Sequence, residues 1–414
     1  MTHQKSQNLI SILAFLCVLI VLPLASFLIN KAFNPEPEKL TVPSIDITLT
    51  GTDLETITSN SKETVYSGNI LQTSDGKVIP DVSIRGRGNS SWEQPKKPFN
   101  ITLPSNYSLL GLPPAEKWVL IANQLDNTML RNDIAFHLSE MLEMPYARQG
   151  QFFELYLNSE YQGLYYLTHK ISTNKNDVFL KNRTGIIAEV DMLWTSEKDC
   201  HYSSEKACIV VKDVKTKDYE DAALSDIVRS FSDFEQATKE NDYEKVKEIV
   251  DIDSLVAYYL LSEFTLDPDA YTTSFYIYKD GSRDKLHFGP GWDFDYALGN
   301  KDWDFSDSAK DFLSPTSFMP RKAELSSNTS ISKTFYRLAE MPEFIDDVKN
   351  KFKQLLSGRR DDLLQHINNT KDFIYDAAKR NDEKWGKYEF DAEYDCLINW
   401  VSARFDFFES LYGN

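Results

Sequence analysis

Two pairs of carboxylates and one basic, glycine-rich stretch hold most of the chemistry open to this chain. The first pair stands in Leu266-Asp267-Pro268-Asp269, the second in Gly291-Trp292-Asp293-Phe294-Asp295. Between them runs a strand–turn–strand pattern, residues 273–279 and 285–288 around the turn Asp280-Gly281-Ser282. Carboxylates that bracket a β-hairpin can converge on one spot. Such an oxygen-rich site suits Mg²⁺, which takes one or two carboxylates together with substrate phosphates. One Asp-x-Asp is ordinarily a turn or a cap. Two around one hairpin, the second framed by aromatic residues, favour a metal site.

The basic stretch reads Ile84-Arg85-Gly86-Arg87-Gly88-Asn89-Ser90-Ser91-Trp92 and continues through Pro95-Lys96-Lys97-Pro98. In a strand that turns Val82 and Ile84 to the core, Arg85 and Arg87 share the other face. Glycine and serine beside them let backbone N–H groups approach an anion. Lys96 or Lys97 would add a point charge on phosphate oxygens. The competing reading is a basic strand edge that blocks aggregation, and the stretch alone does not separate the two.

The elements that must position these groups fall in a clear order. Residues 45–103 alternate like strands, 128–144 have helical periodicity through Leu130, Ile134, Leu138 and Leu142, and two strands follow at 152–157 and 163–171. Residues 219–266 and 334–412 read as mainly helical. Strands first and helices later predict an α+β protein of two lobes, strand-rich over 44–171 and helical over 172–414. Ahead of them, residues 9–29 lack any charge. At 1.5 Å per residue they span roughly 31 Å, so the expectation is a cytoplasmic leader (1–8), a transmembrane signal-anchor helix (9–30) and a Pro-rich spacer (31–43). The globular part is then extracytoplasmic, on a single-pass anchor in the cell membrane. A formal net charge of −18 argues against nucleic acid as a partner. Cys200 and Cys208 flank a polar turn and either close a hairpin disulfide or stay as thiols, while Cys396 reads as a core residue.

The chain resembles the CotH kinase family, named for a spore-coat protein kinase, over roughly residues 43–412. The resemblance is carried by IRGRGNSSWEQPKKPFNI, EKWVLIANQLDNTMLRNDIA, FFELYLNSEYQGLYYL, FTLDPDAYTTSFYIYKDG and LHFGPGWDFDYALG, with KRNDEKW and INWVSARFDF in the tail. The resemblance implies an atypical protein-kinase-like fold. It also implies Mg- or Mn-ATP as the phosphate source, and Ser or Thr of secreted proteins, Ser/Lys-rich and cationic ones among them, as acceptor. By it, Asp269 matches the catalytic aspartate that orients and deprotonates the acceptor hydroxyl. Asp293 matches the metal-binding aspartate, with Asp295 its neighbour. Lys97 stands for the phosphate lysine, with Lys96 as the fallback, and Arg85, Arg87 and Ser90 fall on the nucleotide side. Asp126 and Arg131 read as an ion pair that fixes the helix after the EKW strand. Two positions depart from the pattern. Ser274 occupies the place where kinases set an Asn on the second metal, and His169 stands where relatives carry an acid. These departures give the rival reading, a pseudokinase or binding scaffold on the same fold.

Overall fold

Seven strands of the first part close on themselves. They are β1 (Ser44–Thr48), β2 (Tyr66–Thr73), β3 (Val78–Gly86), β4 (Phe99–Tyr107), β5 (Ala115–Ile121), β6 (Gly150–Leu157) and β7 (Glu160–His169). Their order is β1-β2-β3-β4-β5-β7-β6, and β1 pairs in parallel with β6 to complete a barrel. Closure leaves no unpaired edge among them. The period-2 pattern supplies the filling: Ile45, Ile47, Leu71, Val82, Ile84, Phe99, Ile101, Trp118, Leu120, Phe153, Leu155 and Leu167 form one buried cluster. Short helices α1 (Leu54–Ser59) and α2 (Ser90–Glu93) interrupt the strand sequence. Helix α3 (Arg131–Met141) meets β7 through Phe136 and Tyr166, and Val119, Ile121, Phe152, Leu164 and Tyr166 of β5, β6 and β7 belong with it to a second, larger core.

The computed structural model describes residues 41–192, 199–300, 314–318, 330–386 and 390–413. The leader, the apolar span 9–30 and most of the spacer lie outside the described residues. Val42–Asn414 form one compact unit. Among the described residues no helix is long and apolar enough to cross a membrane.

The second part is helical but is built on a five-stranded sheet, of which the sequence patterns marked the hairpin at 273–288 and not the rest. Strands β8 (Gly185–Val190), β9 (His201–Tyr202), β10 (Cys208–Val214), β11 (Phe275–Asp280) and β12 (His287–Phe288) lie in the order β12-β11-β8-β10-β9. All six residues of the central strand β8 are buried. A strand covered on both faces has no polar alternation to betray it. Helices α4 (Glu220–Lys239), α5 (Tyr243–Ile249) and α6 (Ile252–Thr265) come between β10 and β11. Helices α7 (Ser330–Ala339), α8 (Pro342–Leu355), α9 (Arg360–Trp385) and α10 (Phe390–Tyr412) follow the hairpin.

Cys200 and Cys208 are joined in a disulfide at the β9–β10 hairpin. Trp118, Trp292 and Trp400 are buried. Cys396 is not: it is exposed on α10. The buried stripe of that helix runs through Phe390, Tyr394, Leu397 and Val401, and Cys396 lies beside it rather than on it.

Candidate functional site

A cleft of about 440 Å³ opens where the end of β3, the end of β5 and the β8–β11 face meet. Its acidic side is set by two short segments. Helix α6 stops at Leu266, whose φ of 47° turns the chain into the left-handed region. The carboxylate of Asp267 then accepts the Asp269 N–H at 3.2 Å, and the Asp269 carbonyl accepts the Thr272 hydroxyl at 2.8 Å. That folds residues 267–273 into a tight loop which presents Asp269 to the cleft. The second segment follows β12, and Asp293 is itself left-handed at φ 70°. Its Oδ2 accepts the Ser274 hydroxyl at 2.8 Å. The two aspartate segments are therefore joined directly, across the hairpin that separates them in sequence.

Asparagines hold the second segment from behind. Asn132, at the start of α3, donates Nδ2 to Asp295 at 2.6 Å and to Asn123 Oδ1 at 3.1 Å, while its own Oδ1 accepts the Phe294 N–H at 3.1 Å. Asn300 Nδ2 reaches the carbonyls of Asp295 (2.7 Å) and Leu125 (2.8 Å). Asp126 and Arg131 form the buried ion pair that the sequence suggested, and Arg131 Nε also donates to the Ala297 carbonyl at 2.9 Å. Asn123, Asn132 and Asn300 were not singled out from the sequence. A lone asparagine carries no spacing signal; only the fold shows that three of them meet at one segment.

The charge balance of this cleft is unusual. Burial, then the neighbouring Asp293 and Asp295, push the Asp269 carboxyl up to about 8. Burial, then Asp293, push Asp295 up to about 7, against the hydrogen bond from Asn132. Asp267 is raised by burial and by Asp269. Carboxylates crowded in a low dielectric lack enough positive charge, which a divalent cation would supply. Among the described residues no three His, Cys, Asp or Glu side chains converge into a ready metal cage. The carboxylates of Asp293 and Asp295 are hard oxygen donors of the kind that suit Mg²⁺, which takes one or two carboxylates together with phosphate oxygens and water. Asp293 and Asp295, with Ser274 fixing Asp293, are the residues that would hold it.

The basic side is only partly as expected. Arg85, Arg87 and Ser90 line the cleft, with Gly88, Asn89 and Ser91. Arg87 lies 5.4 Å from the Trp292 ring, and its burial, which lowers its pKa, is opposed by Asp293, Tyr276 and Asp295. Arg85 is paired with Glu63. Lys62, which the motif reading passed over, donates to the Gly88 carbonyl at 2.6 Å and to Asn89 Oδ1 at 2.7 Å. It thereby pins the glycine loop. Gly88 is at φ +83°, and a Cβ there would come 2.0 Å from Ser91 Oγ, so the loop depends on glycine.

The two lysines chosen from the sequence do not line the cleft. Lys96 is buried to 1 % exposure, and its amine donates to the carbonyls of Ala122 (2.8 Å) and Leu164, above the Tyr165 ring. Burial holds its pKa well below the usual lysine range, with Asp382 as the counter-charge. Lys97 donates to the Trp92 carbonyl at 2.6 Å. Sequence adjacency put both amines beside the glycine loop; the pleat and the start of β4 send one into the frame and fold the other back onto α2. His169 is also away from the cleft, with ring Nε2 donating to the Pro113 carbonyl at 2.9 Å.

No curated protein matches this chain. A family model described as CotH kinase protein matches residues 84–408, more than three quarters of the sequence, and takes in both aspartate segments and the glycine loop. The chain belongs to the CotH kinase family.

Proposed function

We propose that the protein is an ATP-dependent phosphotransferase that moves the γ-phosphate of ATP to Ser or Thr hydroxyls of surface or secreted proteins. The observation that carries this reading is the direct link between the two aspartate segments, Ser274 to Asp293, in a cleft that Asp269 and Arg87 also line. Phosphoryl transfer asks little covalent chemistry of a protein; it asks for positioning and for charge to be balanced. Asp293 and Asp295 would hold Mg²⁺ or Mn²⁺, which would supply positive charge against the phosphate oxygens. Asp269 orients the acceptor hydroxyl and takes its proton. Its carboxyl is raised to about 8 without metal, and a cation beside it would favour the ionised form that can accept that proton. Arg87, half-buried against Trp292, presents a fixed cation to the developing charge.

The test is transfer of label from γ-labelled ATP with Mg²⁺ or Mn²⁺, on the chain itself and on a Ser/Lys-rich protein. We expect transfer to fall at least a thousandfold in Asp269→Asn and in Asp293→Asn, with both variants folded. Equal transfer by wild type and Asp269→Asn would overturn the reading. A second reading is favoured by one residue: Ser274 spends its hydroxyl on Asp293 and offers a poorer ligand than an amide oxygen. On it the protein binds nucleotide without transfer and acts as a scaffold, and wild type would then be stabilised by ATP yet move no label.

The location proposed is the outer side of a cell membrane, tethered by the uncharged residues 9–29. The Cys200–Cys208 disulfide supports it, since such bonds persist in oxidising compartments. Protease added to intact cells would degrade the domain if it faces outward and spare it if it does not.

A further inference from the structure

We propose that Lys212, steered by Glu189, is the lysine that meets the phosphate groups of the nucleotide in this cleft; the proposal rests on the phosphotransferase reading above. Both residues line the cleft, on β10 and β8. Their charged ends are 2.5 Å apart, with the glutamate side chain 7 % and the lysine side chain 31 % exposed. The acid is thus fixed in the wall while the amine reaches the open space. An ammonium has three donors. One directed at Glu189 leaves two for phosphate oxygens, and the ion pair removes the rotamer freedom that makes a lone lysine a poor clamp.

Backbone geometry points the same way. Along the β8–β10 ladder Val211 pairs with Ala188 but Asp213 with Ile187, so Lys212 is the extra residue of a β-bulge. Bulges re-aim side chains and are found beside active sites. Asp213 next to it accepts the Thr173 N–H at 2.7 Å and the Thr173 hydroxyl at 3.0 Å, which anchors the strand on the far side of the bulge.

The position is right for phosphate. Glu189 pairs in register with Tyr276 of β11, and the Tyr276 hydroxyl lies in the fields of Glu189, Arg87 and Asp293 together. Lys212, through Glu189, therefore enters the neighbourhood of Asp293 and the half-buried Arg87. The Lys170 amine, lowered first by burial, also feels Arg85, Lys117 and Lys212. Of these cations Arg85 and Lys212 line the cleft itself, in a chain whose net charge is −18. The other lysines near the glycine loop are committed elsewhere: Lys62 to Gly88 and Asn89, Lys96 to two buried carbonyls, Lys97 to Trp92.

Affinity of the full chain for ATP and for adenosine, in Mg²⁺, tests this by titration calorimetry. Lys212→Met is expected to weaken ATP at least tenfold while adenosine affinity and melting temperature stay close to wild type. Lys212→Arg should recover part of the loss, Glu189→Gln should lie between, and Lys97→Met should change ATP affinity less than twofold. Wild-type ATP affinity in Lys212→Met overturns the proposal and leaves the phosphotransferase reading standing. Equal losses for ATP and adenosine also overturn it, since the residue would then only support the fold. Wild-type chain that binds no ATP overturns the proposal and the phosphotransferase reading with it.

Discussion

Asp269 and Asp295 keep their protons to a much higher pH when folded than an aspartate does in an unfolded chain, because burial and then the neighbouring Asp293 disfavour the anions. The folded, metal-free protein then binds more protons than the unfolded chain between about pH 4 and about pH 8, and its stability falls as pH rises through that window. Melting curves in a chelator should show a lower Tm at pH 8.5 than at pH 5.5. Asp293→Asn, which removes one source of repulsion, should shrink that difference. Mg²⁺ should raise Tm more at the higher pH, where the carboxylates are ionised and await a cation. A Tm that is flat across this range, in wild type and variant alike, would contradict the charge crowding described above. At this scale the sequence was informative about residue type and poor about direction. Arg85, Arg87, Ser90, Asp269, Ser274, Asp293 and Asp295 all line the cleft, whereas Lys96 and Lys97 do not. Side-chain direction at the start of a strand depends on register, which a motif does not state.

Among the elements, α3 matters for what its first turn holds. Asn132 and Arg131 tie the Asp293–Ala297 segment to the barrel, and Asp126 keeps Arg131 in place through a pair whose side chains are 2 % and 0 % exposed. Removing one member of such a pair leaves a buried charge alone. Arg131→Met should therefore cost about 3–5 kcal/mol in chemical denaturation. Nucleotide affinity should fall with it, even though Arg131 does not line the cleft. The β9–β10 hairpin offers a second test. Its disulfide has a sequence separation of 8, and reduction should lower unfolding stability by about 2–3 kcal/mol. An unchanged denaturation midpoint in reductant would mean that the hairpin is held by its packing alone.

On the scale of the whole molecule, α9 clamps the barrel to the second core at one glycine. Gly163 on β7 sits at φ +118°, and a Cβ there would meet Asn381 Oδ1 at 2.6 Å and the Lys96 and Trp385 side chains at 2.9 Å. Around it, Asn381 Oδ1 accepts the Leu164 N–H at 3.1 Å, Trp385 Nε1 donates to the Gln162 carbonyl at 3.0 Å, and Arg380 pairs with Glu154 at 2.8 Å. This gives Lys96 and the KRNDEKW segment a structural task, joining the barrel to the helical part behind the cleft. Gly163→Ala should destabilise the protein by about 1–3 kcal/mol through overpacking, with an added cost for its backbone angle. A substitution that leaves the denaturation midpoint in place would show that α9 yields easily and is no clamp.

The sequence by itself determined the α+β class, the strand pairs and helices with clear periodicity, and the two aspartate segments, because these depend on local spacing. It also suggested the Asp126–Arg131 pair and the Cys200–Cys208 bridge, whose partners are close in the chain. Only the tertiary structure decided that the first strands close into a barrel, that a second sheet underlies the helices, and that β8 is its centre. Closure and burial on both faces are properties of contacts between distant segments, and burial on both faces erases the alternation by which strands are read. The same holds for the site. The cleft's side chains come from β3, β4, β5, β8, β10, β11 and several loops far apart in sequence, so the asparagines behind Asp295, Lys62 beneath the glycine loop and the Glu189–Lys212 pair emerge only once those segments are brought together.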